Sequence, residues 1–267
     1  MEVNPYLPHS ARIYDYWLGG KDNFAADRQV GEAMLRAIPT LRLMASANRT
    51  FMHRVVRALV NSEGIRQFLD IGTGIPTRPN LHDVAQQTAP DTRVVYVDND
   101  PIVLVHARAL MVSNVQGRSE YVAADLRQPE TILTEKVLRE TLDLGQPIGL
   151  TMIAILMLLA DEENPWAQVA HLRDAMPPGS VLAITHPTAD FNPDAVGEAV
   201  AAARGAGMTL VPRTKEEIAR FFGDWELLDP GLVPVPAWRP EKPVKDAEST
   251  YYWAGAARKP ITTNPRE

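Results

Sequence analysis

The chain changes rhythm at Ile65. Before it, apolar residues recur three and four apart, so that Phe51, Val55, Val56, Leu59 and Val60 share one helix face. This spacing predicts helices over 27–45 and 48–61. After it, short β-branched runs alternate with helical stretches. The first strand spans 66–71 and leads through a Gly/Pro loop to a helix over 81–87. A second strand spans 93–97. Asp100-Pro101 then supplies an N-cap with proline at the first helical position, opening a helix to about Met111. A third strand over 119–123, a helix over 131–142 and a strongly apolar fourth strand over 150–156 follow. Asn164-Pro165 opens the next helix, and 180–185 is the fifth strand. Thr214 with Glu217 forms a capping box before 218–222. Late strands over 225–228 and 250–256 are joined by a proline-rich crossing.

Apolar strands alternating with helices build a parallel sheet covered on both faces. The expected fold is therefore a doubly wound α/β domain over 63–260, carrying its ligand at the carboxyl ends of the strands. The helical stretch 1–62 reads as a cap or lid, and 261–267 as a flexible tail.

Composition narrows the chemistry. The 267 residues suit one large domain. Up to Arg66 there are nine Lys/Arg against six Asp/Glu, and after it eighteen against twenty-seven, within a net charge of −6. The N-terminal quarter is thus a basic cap on an acidic body, and the mild overall acidity argues against a nucleic-acid partner, for which a strongly basic face is expected. The absence of cysteine excludes disulfides, thiolate metal sites and a cysteine nucleophile. The six histidines show no ligand spacing, so no metal is expected. The longest apolar run, 148–160, is too short to cross a bilayer. The start, MEVNPYLPHSAR, lacks a basic segment followed by an apolar core, so a cytoplasmic protein is expected.

The most informative stretch is 68–77, FLDIGTGIPT, where a strand enters a turn at Gly72, Thr73 and Gly74. Glycines there permit positive φ and let a ligand approach the backbone, although a plain tight turn would use them too. The next strand ends at Asp98, followed by Asn99, and a carboxylate at that tip can accept from both ribose hydroxyls of an adenosine. The third strand leads to Asp125-Leu126, where the acid can accept from the adenine amine and the adjacent amide can donate to the ring. Thr77 replaces the third glycine of a dinucleotide fingerprint. No Tyr-x-x-x-Lys, no P-loop and no G-x-S-x-G occurs. Acids at three successive strand tips (Asp70, Asp98 and Asp125) suit a ligand without phosphates that carries an ammonium and a sulfonium. S-adenosylmethionine fits that description.

Several stretches together resemble a known family. They are 11–24 (ARIYDYWLGGKDNF), Asn48-Arg49, 64–77, 93–101, His186, Pro230-Gly231 and Trp238-Arg239-Pro240. They resemble the actinobacterial S-adenosylmethionine-dependent methyltransferases long catalogued as a domain of unknown function, the DUF574 type. The resemblance implies a Rossmann-like class I methyltransferase fold, a seven-stranded, mostly parallel sheet whose last strand, over 250–256, is antiparallel. It implies S-adenosylhomocysteine as product and leaves the acceptor open. It also implies a histidine after Leu156, where this chain has Met157.

The block from Tyr14 to Asn23 has two readings. It is either a helix ending in a Gly19-Gly20 cap with packed aromatics, or a lid over the cofactor. In the lid, Tyr14 or Trp17 faces the sulfonium through cation–π attraction. Gly19 and Gly20 then admit the methionine carboxylate, assisted by Lys21 or Asn23. Methyl transfer needs a base only for a hydroxyl or protonated-amine acceptor, and His186 and Asp15 are the candidates. The alternative function is a regulatory protein that holds S-adenosylmethionine without turnover.

Overall fold

The computed structural model describes residues 4–110 and 113–261. The expected tail lies outside them except for Ile261, as does Met111. In chain order the elements are α1 (Ser10–Trp17), α2 (Ala25–Ala37), α3 (Leu41–Ser62), β1 (Gln67–Ile71), α4 (Leu81–Thr88), β2 (Arg93–Asp98), α5 (Pro101–Leu110) and β3 (Arg118–Ala123). They continue with α6 (Pro129–Thr134), α7 (Lys136–Thr141), β4 (Gly149–Ile153), α8 (Pro165–Ala175), β5 (Val181–Pro187) and α9 (Pro193–Gly205). The last are α10 (Lys215–Ala219), β6 (Glu226–Leu227), β7 (Val233–Pro234) and β8 (Tyr252–Arg258).

The departures from expectation have local causes. The helix expected over 27–45 breaks at Ile38 (φ −127°, ψ 89°), because Pro39 disfavours a helical residue before it. No break occurs at 45–48, and α3 runs straight through. The helix over 131–142 is divided at Glu135, whose ψ of 128° is extended. The fourth strand stops at Ile153 rather than 156. Ala154 turns to φ 55°, and its N–H donates to the Thr185 carbonyl (3.2 Å) and to Thr185 Oγ1 (3.0 Å). The last strand starts at Tyr252, after Tyr251 at φ 45°. The alanine-rich α9 escaped the sequence reading altogether.

Sheet order is β3-β2-β1-β4-β5-β8-β6, parallel up to β5 and antiparallel at β8. β6 and β7 pair with successive stretches of β8, Leu227 opposite Ala257 and Val233 opposite Ala254. They form one edge position in two pieces, so among the described residues eight strands fill seven places. The chain reverses direction across the sheet between β1 and β4, which puts the ligand crevice at their carboxyl ends.

Strand alternation separates two cores. Phe68, Val94, Tyr96, Val181 and Ala183 face α3, α4 and α9, together with Val30, Met34, Leu41 and Met44 from the cap. Leu69, Val95, Leu150, Leu182 and Ile184 face the opposite way, among residues of α6, α7 and α8. The cap thus shares one apolar cluster with the sheet.

Candidate active site

The first turn is built by backbone geometry. Gly72 (φ 74°) donates its N–H to the Val97 carbonyl at 2.8 Å, and a side chain there would run into Ile155. Gly74 (φ 66°) donates to Asp98 Oδ2 at 2.8 Å, while Asp98 Oδ1 accepts from the Asp100 amide at 2.9 Å. One carboxylate therefore ties the β1 turn to the tip of β2. Burial pushes the Asp98 carboxyl above its ordinary value.

Beside it, Asn99 Nδ2 donates to Asp125 Oδ2 at 2.9 Å, and Asp125 Oδ1 accepts from the Arg127 amide at 2.8 Å. Burial raises the Asp125 carboxyl, but the Arg127 amide, Asn99 and the Arg127 guanidinium outweigh it and hold the group below the usual range. Asp70 accepts from Thr151 Oγ1 at 2.5 Å, and burial pushes it up to about 6.

These groups line one cavity of about 380 Å³, between the strand tips and the cap. Asp70, Gly72, Thr73, Gly74, Asp98, Asn99, Asp125 and Leu126 form its sheet side; Tyr14, Asp15 and Trp17 reach it from α1. The Tyr14 hydroxyl donates to the Ala45 carbonyl at 3.0 Å, and burial pushes its pKa up to about 12. Trp17 Nε1 donates to the Gly31 carbonyl at 3.3 Å, with its ring edge-on to Tyr14 at 6.5 Å.

The two glycines after α1 do not reach the cavity. Gly19 (φ 81°) donates to the Tyr16 carbonyl and Gly20 to the Asp15 carbonyl, the paired bonds of a Schellman C-cap. Asn23 and Lys21 also lie outside the lining. Asn23 Nδ2 donates to Asp15 Oδ2 at 2.8 Å, and the Asp22 amide donates to the same oxygen at 3.0 Å. Asp15 therefore holds the loop that follows its helix, and burial raises its carboxyl. The expected carboxylate cradle at 19–23 is in fact a helix terminus.

His186 is displaced from its expected place too. Its strand ends at the cavity through Pro187, but the imidazole points to the opposite face, stacked on Phe221 at 6.1 Å. Nδ1 donates to the Pro187 carbonyl at 2.8 Å, and Nε2 accepts from Arg213 Nη1 at 3.0 Å. Burial lowers its pKa to about 3. Both ring nitrogens are committed, and the side chain is shut from the cavity. It cannot serve as the acceptor's base.

Other lining residues went unread. Arg49 of α3 lines the cavity beside Asp70 and donates through Nη2 to the carbonyls of Thr77 and Pro79, the latter at 2.7 Å. The Asn48-Arg49 pair was visible as a motif, but helical spacing gave no hint of its direction. Tyr251 and Tyr252 close the far side. Met157 lines the cavity, and its carbonyl accepts from the Val211 amide at 2.9 Å.

A seven-place sheet with one antiparallel strand, a glycine turn after β1, acids at the ends of β1 and β2 and another after β3 define a Rossmann-like class I methyltransferase. The chain belongs to the S-adenosyl methyltransferase family, whose model matches residues 1–260. It is similar to a DUF574 family protein from Streptomyces avermitilis, with 46% identity over 95% of this chain and 98% of that one, at a TM-score of 0.92. A protein from Thermobifida fusca shares 40% identity over 96% of each chain, at 0.89. A methyltransferase from Anabaena variabilis shares the fold alone, at 14% identity and a TM-score of 0.53 over 97% of this chain and 100% of that one. No curated protein matches the chain. The enzyme is thus an S-adenosylmethionine-dependent methyltransferase.

Proposed function

We propose that the cavity holds S-adenosylmethionine along the tips of β1, β2 and β3 and directs its methyl group to a small-molecule acceptor under the helical cap. The observation that carries this reading is Asp98, a buried carboxylate on the cavity wall, fixed by the Gly74 and Asp100 amides. Two amides hold it in place for a pair of ribose hydroxyls. Asp125 and the Leu126 amide take the adenine, with Asn99 setting the Asp125 carboxylate. Asp70 receives the ammonium, the turn 72–74 lets the ligand lie against bare backbone, and Arg49 meets the carboxylate. Tyr14 and Trp17 face the sulfonium, whose positive charge an aromatic wall attracts.

The cofactor supplies a methyl group already activated on sulfur. What remains for the protein is alignment and exclusion of water. Asp15 acts as a positioning residue, fixing the 18–23 loop. The segment 1–62 serves as the lid. No described helix is long and apolar enough to cross a membrane, which suits a cytoplasmic enzyme. Calorimetry with S-adenosylhomocysteine tests the reading: binding by the parent chain and a loss of at least tenfold in Asp98→Ala are expected. Tighter binding of NADH than of S-adenosylhomocysteine would falsify it.

A further inference from the structure

Beyond the strand tips the cavity changes character. Five of the chain's nine methionines (Met34, Met44, Met52, Met157 and Met208) line it. Methionine is unbranched and polarizable, so such a wall accommodates varied apolar shapes and favours aromatic ones. Tyr252 brings a polar group to this apolar part, with its side chain only 7% exposed. Behind it, the fully buried Asn48 carboxamide lies beside the Tyr14 and Tyr252 hydroxyls, yet neither of its polar atoms has a partner among the described residues. Buried polar groups in folded proteins are nearly always paired, so this corner has hydrogen-bonding capacity to fill.

Charge decides the kind of acceptor. Among the described residues, four carboxylates line the cavity (Asp15, Asp70, Asp98 and Asp125) against two guanidiniums. Arg49 donates to two backbone carbonyls and, on the cofactor reading, is taken up by the cofactor carboxylate, and Arg127 is paired with Asp125 and Glu163. An anionic acceptor meets an unfavourable field here. A hydroxyl acceptor needs a base, and His186 is sealed away, Asp15 bound to its loop, and Tyr252 held protonated by burial.

We propose that the methionine-lined chamber is the acceptor site and takes an uncharged, lipophilic, weakly basic amine, with its apolar body among the methionines and an N–H donated to the Tyr252 oxygen. This rests on the methyltransferase reading of the same cavity. The nitrogen lone pair forms the new N–CH3 bond as the S–CH3 bond breaks and its electron pair stays on sulfur. The ammonium so formed releases its proton to water, and no enzyme base is used. The carboxylates around the cavity favour that cationic product.

The test uses three probes with one body (1-naphthylamine, 1-naphthol and 1-naphthoate), titrated into protein saturated with S-adenosylhomocysteine. The amine should bind at least tenfold more tightly than the carboxylate. Tyr252→Phe should weaken the amine three- to tenfold and Met44→Glu at least tenfold, with S-adenosylhomocysteine affinity within threefold in both. With S-adenosylmethionine present, mass spectrometry should find N-methyl-1-naphthylamine and no 1-methoxynaphthalene. Equal or tighter binding of the carboxylate, binding of none of the three probes, ether formation, a bound amine left unmethylated, or a Tyr252→Phe protein that binds the amine unchanged each overturns the proposal. Failure of S-adenosylhomocysteine to bind at all would instead sink the cofactor reading beneath it.

Discussion

Arg213 donates through Nη1 to Nε2 of His186 at 3.0 Å, and this contact removes the histidine from the chemistry. The same guanidinium donates to the carbonyls of Leu156 (3.0 Å) and Leu159 (2.9 Å) and pairs with Asp161 at 2.7 Å. Arg213 therefore fastens the turn after β4 to the end of β5. His186 is one acceptor in that knot, and its neutral form is what the knot requires.

His186→Ala should accordingly damage the fold rather than the site. It opens a void beside Phe221 and leaves a buried N–H of Arg213 unpaired, a loss of about 2–4 kcal/mol. Denaturant melts should show that loss while S-adenosylhomocysteine affinity stays within threefold. A folded variant that binds more than tenfold more weakly would return His186 to the cofactor site. The pH dependence has a definite sign. The folded pKa, about 3, lies below the ordinary 6.5, so the unfolded chain binds the extra proton between them. The contribution is whole above 6.5 and is lost as pH falls toward 3. In His186→Gln the stability profile should be flatter across that window.

This residue also shows what could be read along the chain and what could not. Its place at the carboxyl edge was legible, and Pro187 beside it does line the cavity. The face was legible too, since His186 shares strand parity with Leu182 and Ile184, which pack away from the cap. Its partner was not, because Arg213 sits in an aperiodic loop 27 residues on. The acids at the tips of β1 and β2 and after β3 were readable because strand, turn and helix cap are local patterns. The methionine wall was not, because it is assembled from α2, α3, the turn after β4 and the loop after α9, which only tertiary packing brings together. The Schellman cap at Gly19-Gly20 was readable as the plainer of two alternatives.

Asp98→Ala removes a carboxylate that accepts from Gly74 and Asp100 and would accept from the ribose. Loss of hydrogen bonds to a charged group is worth about 1.5–3 kcal/mol, roughly ten- to a hundredfold in affinity. Asp98→Asn keeps the shape and one acceptor oxygen, so it should fall between the parent and the alanine variant. Calorimetry on all three gives the order. Equal affinity in all three would remove Asp98 from the cofactor contacts.

Asp70 makes cofactor affinity depend on pH. Burial holds its carboxyl near 6, above the ordinary 3.8, so in the empty protein it is largely protonated at pH 5 and ionised at pH 7.5. The proposed ammonium partner favours the ionised form, and binding should expel a proton below pH 6. Affinity for S-adenosylhomocysteine should therefore rise from pH 5 to pH 7.5, and Asp70→Asn should flatten the rise. The same shift works against the empty fold, because a carboxyl raised in the folded state loses stability as pH climbs from about 4 to about 6. A bound cofactor should diminish that loss, which thermal melts with and without S-adenosylhomocysteine can read. An affinity that is flat across this range in the parent would detach Asp70 from the ammonium.

The cap can be tested through the pair that joins its first two helices. Arg12 Nε donates to Asp27 Oδ2 at 2.9 Å, with both side chains buried. The Asp27 carboxylate also accepts from the His9 and Phe24 amides, each at 2.8 Å. Arg12→Met leaves that charge buried without its cation, a loss of about 3–5 kcal/mol for a pair so enclosed. Two outcomes compete. If 1–62 moves as a lid, the loss is local: amides of α1 and α2 exchange faster, while those of β1 and β2 stay protected. Bound S-adenosylhomocysteine should then slow exchange across α1 in the parent chain, because closure over the ligand excludes water. The opposing case has a structural basis, since Val30, Met34 and Leu41 share one cluster with Val181 and Ala183 of the sheet. Should strands and cap helices lose protection together in Arg12→Met, and should the ligand leave α1 exchange unchanged, the cap is a fixed part of the core and the lid reading falls.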